Sequence, residues 1–404
     1  MKKLTKAIAV LAALAAVPTF VFAKPAAKKV TLKVWESEGP EKDYMIWAGK
    51  QFAKTDPKWA KVKIEYEPVG STDARAKIEL DGPAGVGADV FVAPHDHIGA
   101  LYNGEHILEN DDPTFASSFI PAAKMGASYN GKVYGYPLGI ETYALFYNKD
   151  IIKKAPKTWE EVEAFAKTYN NKSQGKYALV WEVGNGYYDY IFMGGFGAPL
   201  FGPNGNDRRQ HNINSANSIK GLTYFQSLRK SILDVPAADV TGDFCNSSFT
   251  GGKSAMVITG PWKISDYKKL GMNFGVAPLP VFPGQTKTPT SFSGIRLAFV
   301  SSYTDDAKVE AAKAFARFIC SKEALEQRYQ LTAQIPPRTD ITIPASDTLS
   351  QGILEQAKYA TPMPTIPQMG TYWSAMNAAF SGIWDGDDVV TALNSAAKAM
   401  DAAK

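Results

Sequence analysis

Strand-like and helix-like segments alternate along the first part of the chain, and this alternation restricts the possible folds more than any other feature. Residues 30–35 and 62–66 alternate apolar and polar side chains, which is the periodicity of a strand. Helical patterns follow them, near residues 44–54 and over residues 74–81, and a nearly all-apolar strand runs through residues 89–93. Such strand–helix–strand units predict an α/β fold with right-handed crossovers and a mainly parallel sheet.

The loops after two of these strands are candidate binding segments. Residues 36–40 follow the first strand, and residues 94–97 follow the third. Because ligands of open α/β sheets bind beyond the carboxyl ends of the strands, we expect both loops to face a ligand.

A second α/β set follows a long extended crossing. Residues 131–150 have the pattern of a strand that leaves one lobe for another, and Thr158 with Glu161 forms a capping box at the start of the next helix. Residues 292–300 and 334–338 are two further crossings. We therefore expect two lobes, each a mainly parallel sheet flanked by helices, joined by several crossing strands around a cleft. The predicted division is 1–23 for a leader, 24–139 plus 295–336 for the first lobe, and 140–294 plus 337–404 for the second.

Residues 1–23 have the pattern of a secretory signal peptide. A cationic start with three lysines precedes an apolar run, and Ala23 ends a small-x-small cleavage site. The run has about 16 residues, fewer than the roughly 20 of a membrane-spanning helix, which favours a cleaved signal over an anchor. We expect cleavage after Ala23 and a periplasmic protein.

Composition and charge exclude several classes of protein. Apolar residues make up 45% and charged residues 21% of the 404 residues, which is the balance of a globular protein. The net charge of +4 becomes nearly zero once the lysines of the leader are removed, so no strong field attracts nucleic acid. Cys245 and Cys320 are able to form one disulfide or to remain two buried thiols, and the helical position of Cys320 favours buried thiols.

Catalytic and metal-binding patterns are weak. The sequence has no G-x-S-x-G elbow, phosphate-binding P-loop or dinucleotide fingerprint. His95 and His97 beside Asp96 would need a distant third ligand to hold a metal. Asp96 and Glu141 could act as the carboxylate pair of a glycosidase, but their separation cannot be read from sequence. We predict no catalytic residue, metal site or cofactor.

Aromatic residues give a stronger signal. Trp262 follows a buried strand and a Gly-Pro pair, Trp373 precedes a helix, and Tyr187 and Tyr188 lie in a loop after an apolar run. Flat rings of this kind bind the C–H faces of sugars, while carboxylates and amides pair with the hydroxyl groups. Other tryptophans occupy apolar strand or helix positions and are assigned to cores: Trp35, Trp47, Trp159 and Trp384.

Five segments carry a family resemblance over essentially the whole mature chain. They are APHDH at 93–97, YNKD at 147–150, PKTWEE at 156–161, AMVITGPW at 255–262 and MPTIPQM at 363–369. The chain resembles the extracellular solute-binding proteins of ABC sugar importers, and among them it is most similar to maltose/maltodextrin-binding proteins. This resemblance implies the periplasmic-binding-protein fold, with two lobes that close on a sugar.

The resemblance also implies ligand contacts. Asp96 stands at a position where the family uses an Asp to bind sugar hydroxyls. His97 stands at a position where the family often has an Arg, and Glu141 matches a Glu that lines the family's cleft. The positions that match its stacking rings are Tyr187, Trp262 and Trp373.

The sequence departs from the family pattern at several contact positions. Ala93 replaces a Trp, Asn185 replaces an acidic residue, and Asn377 stands in place of an Arg. In the poorly matching first loop, we select Glu38 as the hydroxyl contact, with Arg75 as a second candidate. These changes leave the exact sugar open.

The function that the resemblance implies is the solute-binding component of an ABC transporter, which hands maltodextrin-type oligosaccharides to an inner-membrane permease as a monomer. Two alternatives stay open. The first is a protein of the same fold that binds another oligosaccharide or a polyol, and the second is an exported enzyme acting on glucans.

Overall fold

The computed structural model describes residues 29–202 and 205–403, so the predicted signal peptide and its cleavage site lie outside the described residues. The strands are β1 (Val30–Glu36), β2 (Val62–Pro68), β3 (Val90–Pro94), β4 (Ser128–Tyr129), β5 (Lys132–Val133), β6 (Tyr136–Thr142), β7 (Ala144–Asn148), β8 (Tyr177–Val180), β9 (Ser254–Thr259), β10 (Phe274–Ala277), β11 (Phe292–Val300) and β12 (Thr361–Pro362).

The α-helices alternate with these strands and cover both sheets. They are α1 (Pro40–Thr55), α2 (Ala74–Asp81), α3 (Ile98–Asn103), α4 (Phe115–Ser118), α5 (Pro121–Gly126), α6 (Trp159–Tyr169), α7 (Gly186–Asp189), α8 (Ile191–Gly194), α9 (Ala216–Ser231), α10 (Gly242–Thr250), α11 (Ile264–Lys269), α12 (Asp306–Ile319), α13 (Lys322–Thr332), α14 (Thr348–Ala357), α15 (Met369–Asp385) and α16 (Val389–Ala402). Short 3₁₀ helices span Pro57–Trp59, His95–His97, Lys172–Gln174, Ala237–Asp239 and Pro261–Lys263.

The first sheet has the order β12-β11-β3-β1-β2, and β6 also pairs with β11. The predicted alternation of β1 is visible in its burial, since Leu32 and Val34 are buried whereas Thr31 is exposed. One hydrophobic core joins this sheet to its helices and includes Trp35, fully buried, and Phe315 of α12. Helix α2 spans the residues that the sequence predicts.

The second sheet has the order β10-β7-β9-β8 and supports a separate hydrophobic core. Trp159 at the start of α6 stacks on Phe282 within this core, with ring centroids 5.5 Å apart. The predicted cap of α6 is present, because Thr158 Oγ1 accepts from the backbone N–H of Glu161 at 3.3 Å. The Glu161 carboxylate in turn accepts from the backbone N–H of Lys157 at 2.6 Å, one residue before the usual partner.

The two-lobed α/β prediction is confirmed, with one correction. Strands β1, β2 and β3 pair in parallel, but β11 runs antiparallel to both β3 and β6, and in the second sheet only the β8–β9 pair is parallel. The first sheet is therefore mixed but still mainly parallel, since β11 also pairs in parallel with β12, whereas the second sheet is mainly antiparallel. The physical reason is that crossing strands enter a sheet from the other lobe, so their direction does not follow from right-handed βαβ crossovers.

The predicted crossings connect the two sheets. The chain passes from β6 of the first sheet through Tyr143 directly into β7 of the second. Strand β11 returns to the first sheet, and near the third crossing Ile335 forms a bridge with Ile140. The cleft lies beside these connections.

Buried thiols and tryptophans occupy the predicted positions. Cys245 and Cys320 are buried and free. The side chains of Trp35, Trp159 and Trp384 are fully buried or nearly so. Trp47, the fourth tryptophan assigned to a core, is only partly buried. Within the described ranges, no helix combines the length and the apolar character required to cross a membrane.

Candidate functional site

A cleft of about 740 Å³ lies between the ends of strands from both sheets. Its walls come from the loops after β1 and β3, from the crossing strands β6 and β11, and from α7, α15 and the turn after β9. The structure brings all eight predicted contact residues to this cleft: Glu38, Asp96, His97, Glu141, Tyr187, Trp262, Trp373 and Asn377.

Asp96 and His97 follow β3 in the short 3₁₀ helix and form one wall. The Asp96 side chain is only 2% exposed, and its Oδ2 accepts from Nε1 of Trp373 at 3.1 Å. His97 Nε2 lies 4.0 Å from the same oxygen. Among the described residues, neither Asp96 Oδ1 nor His97 Nδ1 has a hydrogen-bond partner, although both atoms are buried. Burial lowers the pKa of His97 below its ordinary value, and the neighbouring Asp96 charge opposes that shift only in part.

His95 has a structural role in the same turn. Its Nδ1 accepts from the backbone N–H of Ile295 at 3.2 Å, which leaves Nε2 as the donor to the carbonyl of Met363 at 2.9 Å. Both ring nitrogens are therefore bound to backbone groups. Across residues 29–202 and 205–403, no group of three or more His, Cys, Asp or Glu side chains is arranged to hold a metal.

A buried ion-pair network forms the floor of the cleft. Arg296 on β11 donates from Nη1 to Glu141 Oε1 at 3.1 Å, and from Nη2 to Ser37 Oγ at 2.7 Å and to Glu36. Glu36 is fully buried, and its second oxygen accepts from Arg328 at 3.1 Å. Although burial alone would raise the pKa of Glu36, the two guanidinium groups outweigh it and hold that pKa below the ordinary value.

The network continues to the first helix. Gln334 joins it to α1, since its Oε1 accepts from Arg328 Nε at 3.0 Å and its Nε2 donates to Glu41 Oε1 at 2.8 Å. Burial raises the pKa of Glu41, and the charge of Glu36 acts in the same direction. The side chains that bound the cleft floor are thus held by hydrogen bonds from several elements.

Aromatic rings form the opposite wall. Tyr187 at the start of α7 packs edge-on against Tyr143 at 4.8 Å, and its ring centroid lies 6.4 Å from that of Trp262. Trp373 on α15 packs edge-on against Phe292 at 5.9 Å. Trp262 and Trp373 are half-buried, so part of each ring stays open to the cleft. Burial raises the pKa of Tyr187 well above its ordinary value, which keeps its hydroxyl neutral.

Two asparagines that depart from the family pattern position the loop before α7. Asn185 caps this helix, because its Oδ1 accepts from the backbone N–H of Tyr187 at 3.0 Å, and its Nδ2 donates to Glu182 at 3.0 Å. Asn377 Oδ1 accepts from the backbone N–H of Gly186 at 2.7 Å. The Asn377 oxygen is therefore engaged, and its amide donor is the group left for a ligand.

The two candidates of the first lobe differ in exposure. Glu38 is exposed in the loop before α1, while Arg75 is half-buried and donates to Glu79 at 3.1 Å.

Sequence reasoning did not select some cleft residues, and Arg296 is the most important of them. The sequence signal that could have identified Arg296 is its position close to Gly294 in a predicted crossing strand. The other unselected side chains at the cleft include Glu41, Glu182, Lys263 and Asp266.

Comparisons with known proteins identify the family of this chain. A family model described as bacterial extracellular solute-binding protein matches residues 47–351. The maltooligosaccharide ABC transporter solute-binding lipoprotein of Streptococcus pneumoniae (strain ATCC BAA-255 / R6) is 31% identical over 383 residues, which cover 90% of this chain and 86% of the relative. The galactooligosaccharide-binding protein of Bacillus subtilis (strain 168) is 31% identical over 392 residues, or 93% of this chain and 90% of the relative.

A solved structure shows the same fold with a ligand. The crystal structure of MalX from Streptococcus pneumoniae in complex with maltopentaose has a TM-score of 0.83 and 29% sequence identity, and the match covers 92% of this chain and 100% of that chain. Together with the family match, these similarities confirm the predicted family resemblance. The chain belongs to the bacterial extracellular solute-binding protein family.

Proposed function

We propose that this protein is the periplasmic solute-binding component of an ABC transporter, which binds maltodextrin-type oligosaccharides in the cleft and delivers them to an inner-membrane permease. One observation carries the proposal: aromatic rings on one wall and carboxylates on the other line the same cleft of about 740 Å³. Ring faces suit the C–H faces of pyranoses, and carboxylates accept hydrogen bonds from hydroxyls. The maltooligosaccharide and maltopentaose named for the two Streptococcus proteins support this ligand class.

The proposed contacts divide into rings and polar groups. Trp262, Trp373 and Tyr187 stack on sugar faces, while Asp96 and Glu141 accept hydroxyl hydrogen bonds. The remaining polar contacts that we propose come from Glu38, His97 and Asn377.

We further propose that the protein is a carrier without catalytic activity and acts as a monomer. The relatives that match the chain are named as binding proteins, which supports this view. Asp96 and Glu141 each bond to a fixed neighbour, Trp373 and Arg296 respectively, which suits a binding role. The leader pattern of residues 1–23 supports export, with cleavage after Ala23.

The lobe division belongs to the same proposal. Residues 24–139 with 295–336 form one lobe, and residues 140–294 with 337–404 form the other. Two separate hydrophobic cores support most of this division: the first draws on residues from Leu32 to Leu138 and from Ile295 to Leu325, and the second on residues from Tyr143 to Phe292 and from Ile353 to Met400. Ala333 and Ile335, near the end of the proposed first lobe, pack in the second core. Sugar contacts from both lobes would favour a closed arrangement, because only then do both sets touch one ligand.

A second candidate ligand is a galactooligosaccharide. The Bacillus subtilis galactooligosaccharide-binding protein is as similar to the chain as the Streptococcus relative, at 31% identity over a larger share of both proteins. Stacking rings accept either sugar, so the polar groups must discriminate. Rings alone therefore do not decide between the two ligand classes.

A thermal-shift screen tests the proposal. Purified protein is heated with maltose, maltotriose, maltotetraose, a galactooligosaccharide series and a polyol, because a ligand bound only by the folded state raises Tm with its concentration. We expect the maltodextrins to raise Tm most. A larger shift with the galactose series would support the second candidate, and no shift with any sugar would contradict both. Trp262→Ala, which removes a ring of the cleft, should reduce the shift, and Trp47→Ala, altered outside the cleft, serves as its control.

A further inference from the structure

A direct hydrogen bond joins the two walls of the cleft. Trp373 lies in α15, whose residues belong to the second hydrophobic core, and Asp96 follows β3 of the first sheet. Trp373 Nε1 donates to Asp96 Oδ2 at 3.1 Å, across a sequence separation of 277 residues. The bond can form only when α15 and the turn after β3 lie together.

The surroundings of this bond restrict both partners. The Trp373 ring packs edge-on against Tyr372 at 5.0 Å and against Phe292 at 5.9 Å, which fixes the plane of the indole. The Asp96 side chain is 2% exposed, so the carboxylate is almost fully covered in this arrangement. An acceptor that is both ionised and buried makes a stronger hydrogen bond than a neutral exposed one.

Two buried polar atoms beside this bond have no partner among the residues described here: Asp96 Oδ1 and His97 Nδ1. Buried polar groups normally have hydrogen-bond partners. The bond from Trp373 is therefore important for stabilising the buried Asp96 carboxylate. Removing the indole N–H would leave the Asp96 carboxylate buried with less compensation.

We propose that the Trp373–Asp96 hydrogen bond is a closure bond, so that Trp373 is a positioning residue for Asp96 in addition to a stacking ring. The bond forms between the lobes when they are together and therefore adds to the stability of the closed arrangement. Part of the contribution of Asp96 to sugar affinity is then transmitted through Trp373 rather than made by direct contact with sugar. The effect of this bond on sugar affinity rests on the proposed function, whereas the existence of the bond does not.

Replacement of Trp373 by Phe separates the two roles, because Phe keeps an aromatic face and lacks the N–H donor. Loss of a hydrogen bond to a charged group is expected to raise Kd by about tenfold. Trp262→Phe is the matched control, since it shrinks a ring of the same wall that has no such bond to Asp96. We expect a smaller rise in Kd for this control. Equal rises for the two variants would overturn the closure bond.

A second measurement detects the bond itself and is made both without sugar and with saturating maltotriose. In ¹H–¹⁵N spectra, the indole N–H resonance of Trp373 is identified by its disappearance in Trp373→Phe. We expect Asp96→Ala to move this resonance upfield, whereas Asp111→Ala, at an exposed acid outside the cleft, leaves it in place. A Trp373 resonance that Asp96→Ala leaves unchanged both without and with sugar would overturn the proposal. If the wild-type protein bound no sugar, the proposed function would fail, while the spectra would still decide whether the bond exists.

Discussion

Arg296 on β11 donates a hydrogen bond from Nη1 to Oε1 of Glu141 on β6, and the two atoms are 3.1 Å apart. Glu141 is the penultimate residue of β6, just before the chain crosses to the second sheet. The same guanidinium holds Ser37 and Glu36 after β1. One side chain therefore fixes a carboxylate of the cleft, the loop after β1 and the first crossing at the same time.

Replacing Arg296 with Met should destabilise the protein by about 3–5 kcal/mol, because Glu36 and Glu141 lose a buried partner. Arg75→Met is the matched control. Its partly exposed pair with Glu79 is worth only about 0–1 kcal/mol after solvent screening. Urea unfolding measures both changes. Equal free energies of unfolding for the two variants would show that the buried network contributes little.

Replacing Trp262 or Trp373 with Ala should weaken sugar binding by roughly 1–3 kcal/mol, the order of magnitude for loss of an aromatic anchor. Both rings are half-buried at the cleft, so folding should survive. Trp47→Ala, which removes a half-buried ring of the first lobe away from the cleft, should leave affinity unchanged. Calorimetry measures the affinities. Unfolding of both cleft variants, with affinity retained in the folded fraction, would assign these rings to the core.

Asp96→Asn and Glu141→Gln keep the side-chain shape and lose the charge. We expect weaker sugar binding by both variants, because hydrogen bonds to a charged acceptor are the stronger kind. Stability should stay closer to that of the wild type than in Arg296→Met. Asp111→Asn, at an exposed ion pair, controls for the loss of one negative charge. If calorimetry gives wild-type affinity for both cleft variants, neither carboxylate belongs to the site.

The pH dependence of stability reports on His97. Burial lowers its pKa from the ordinary 6.5, so below this pH the unfolded chain binds a proton that the folded protein resists. Stability should therefore fall as pH decreases through 6.5. Burial shifts the pKa of His95 in the same direction, so His97→Gln should remove only part of this loss. Urea unfolding above and below pH 6.5 measures it, and an identical loss in both proteins would exclude His97 as a contributor.

The parts of the fold that could be predicted from sequence are those indicated by local hydrophobic periodicity. Helix α2 and strands β1 and β2 were predicted because their periodicity lies within a few consecutive residues. The direction of β11 was not predicted, because it depends on pairing with β3 and β6, which are distant in the chain. The mixed character of both sheets follows from such long-range pairings.

In the candidate site, too, residues with a local sequence signal were predictable, and contacts between distant residues were not. Contacts such as Asp96 and Trp262 were predictable because each follows a strand, where α/β proteins bind ligands. Arg296 was missed because its partners Glu141 and Glu36 lie 155 and 260 residues away in sequence. The bond between Trp373 and Asp96 is equally invisible in sequence, since nothing local to either residue indicates the other.

Closure of the lobes is the conformational prediction. Gly139 and Gly294 lie in the crossings β6 and β11, which would absorb the backbone change as the lobes move. A side chain at either glycine would meet a neighbour, Gln334 at 3.2 Å or Met363 at 3.1 Å, so close packing is an alternative reason for both. Small-angle scattering should show a smaller radius of gyration with saturating sugar. An unchanged distance distribution would indicate a rigid site.

The central claim is that the cleft binds a maltodextrin without altering it. Calorimetric titration with maltotriose, combined with a glucose assay on the same sample, tests this most directly. We predict a saturable one-to-one isotherm, weakened in Trp262→Ala, and no glucose above the level of a protein-free control. Absence of binding, or release of glucose that tracks protein concentration and disappears in Asp96→Asn or Glu141→Gln, would contradict the claim.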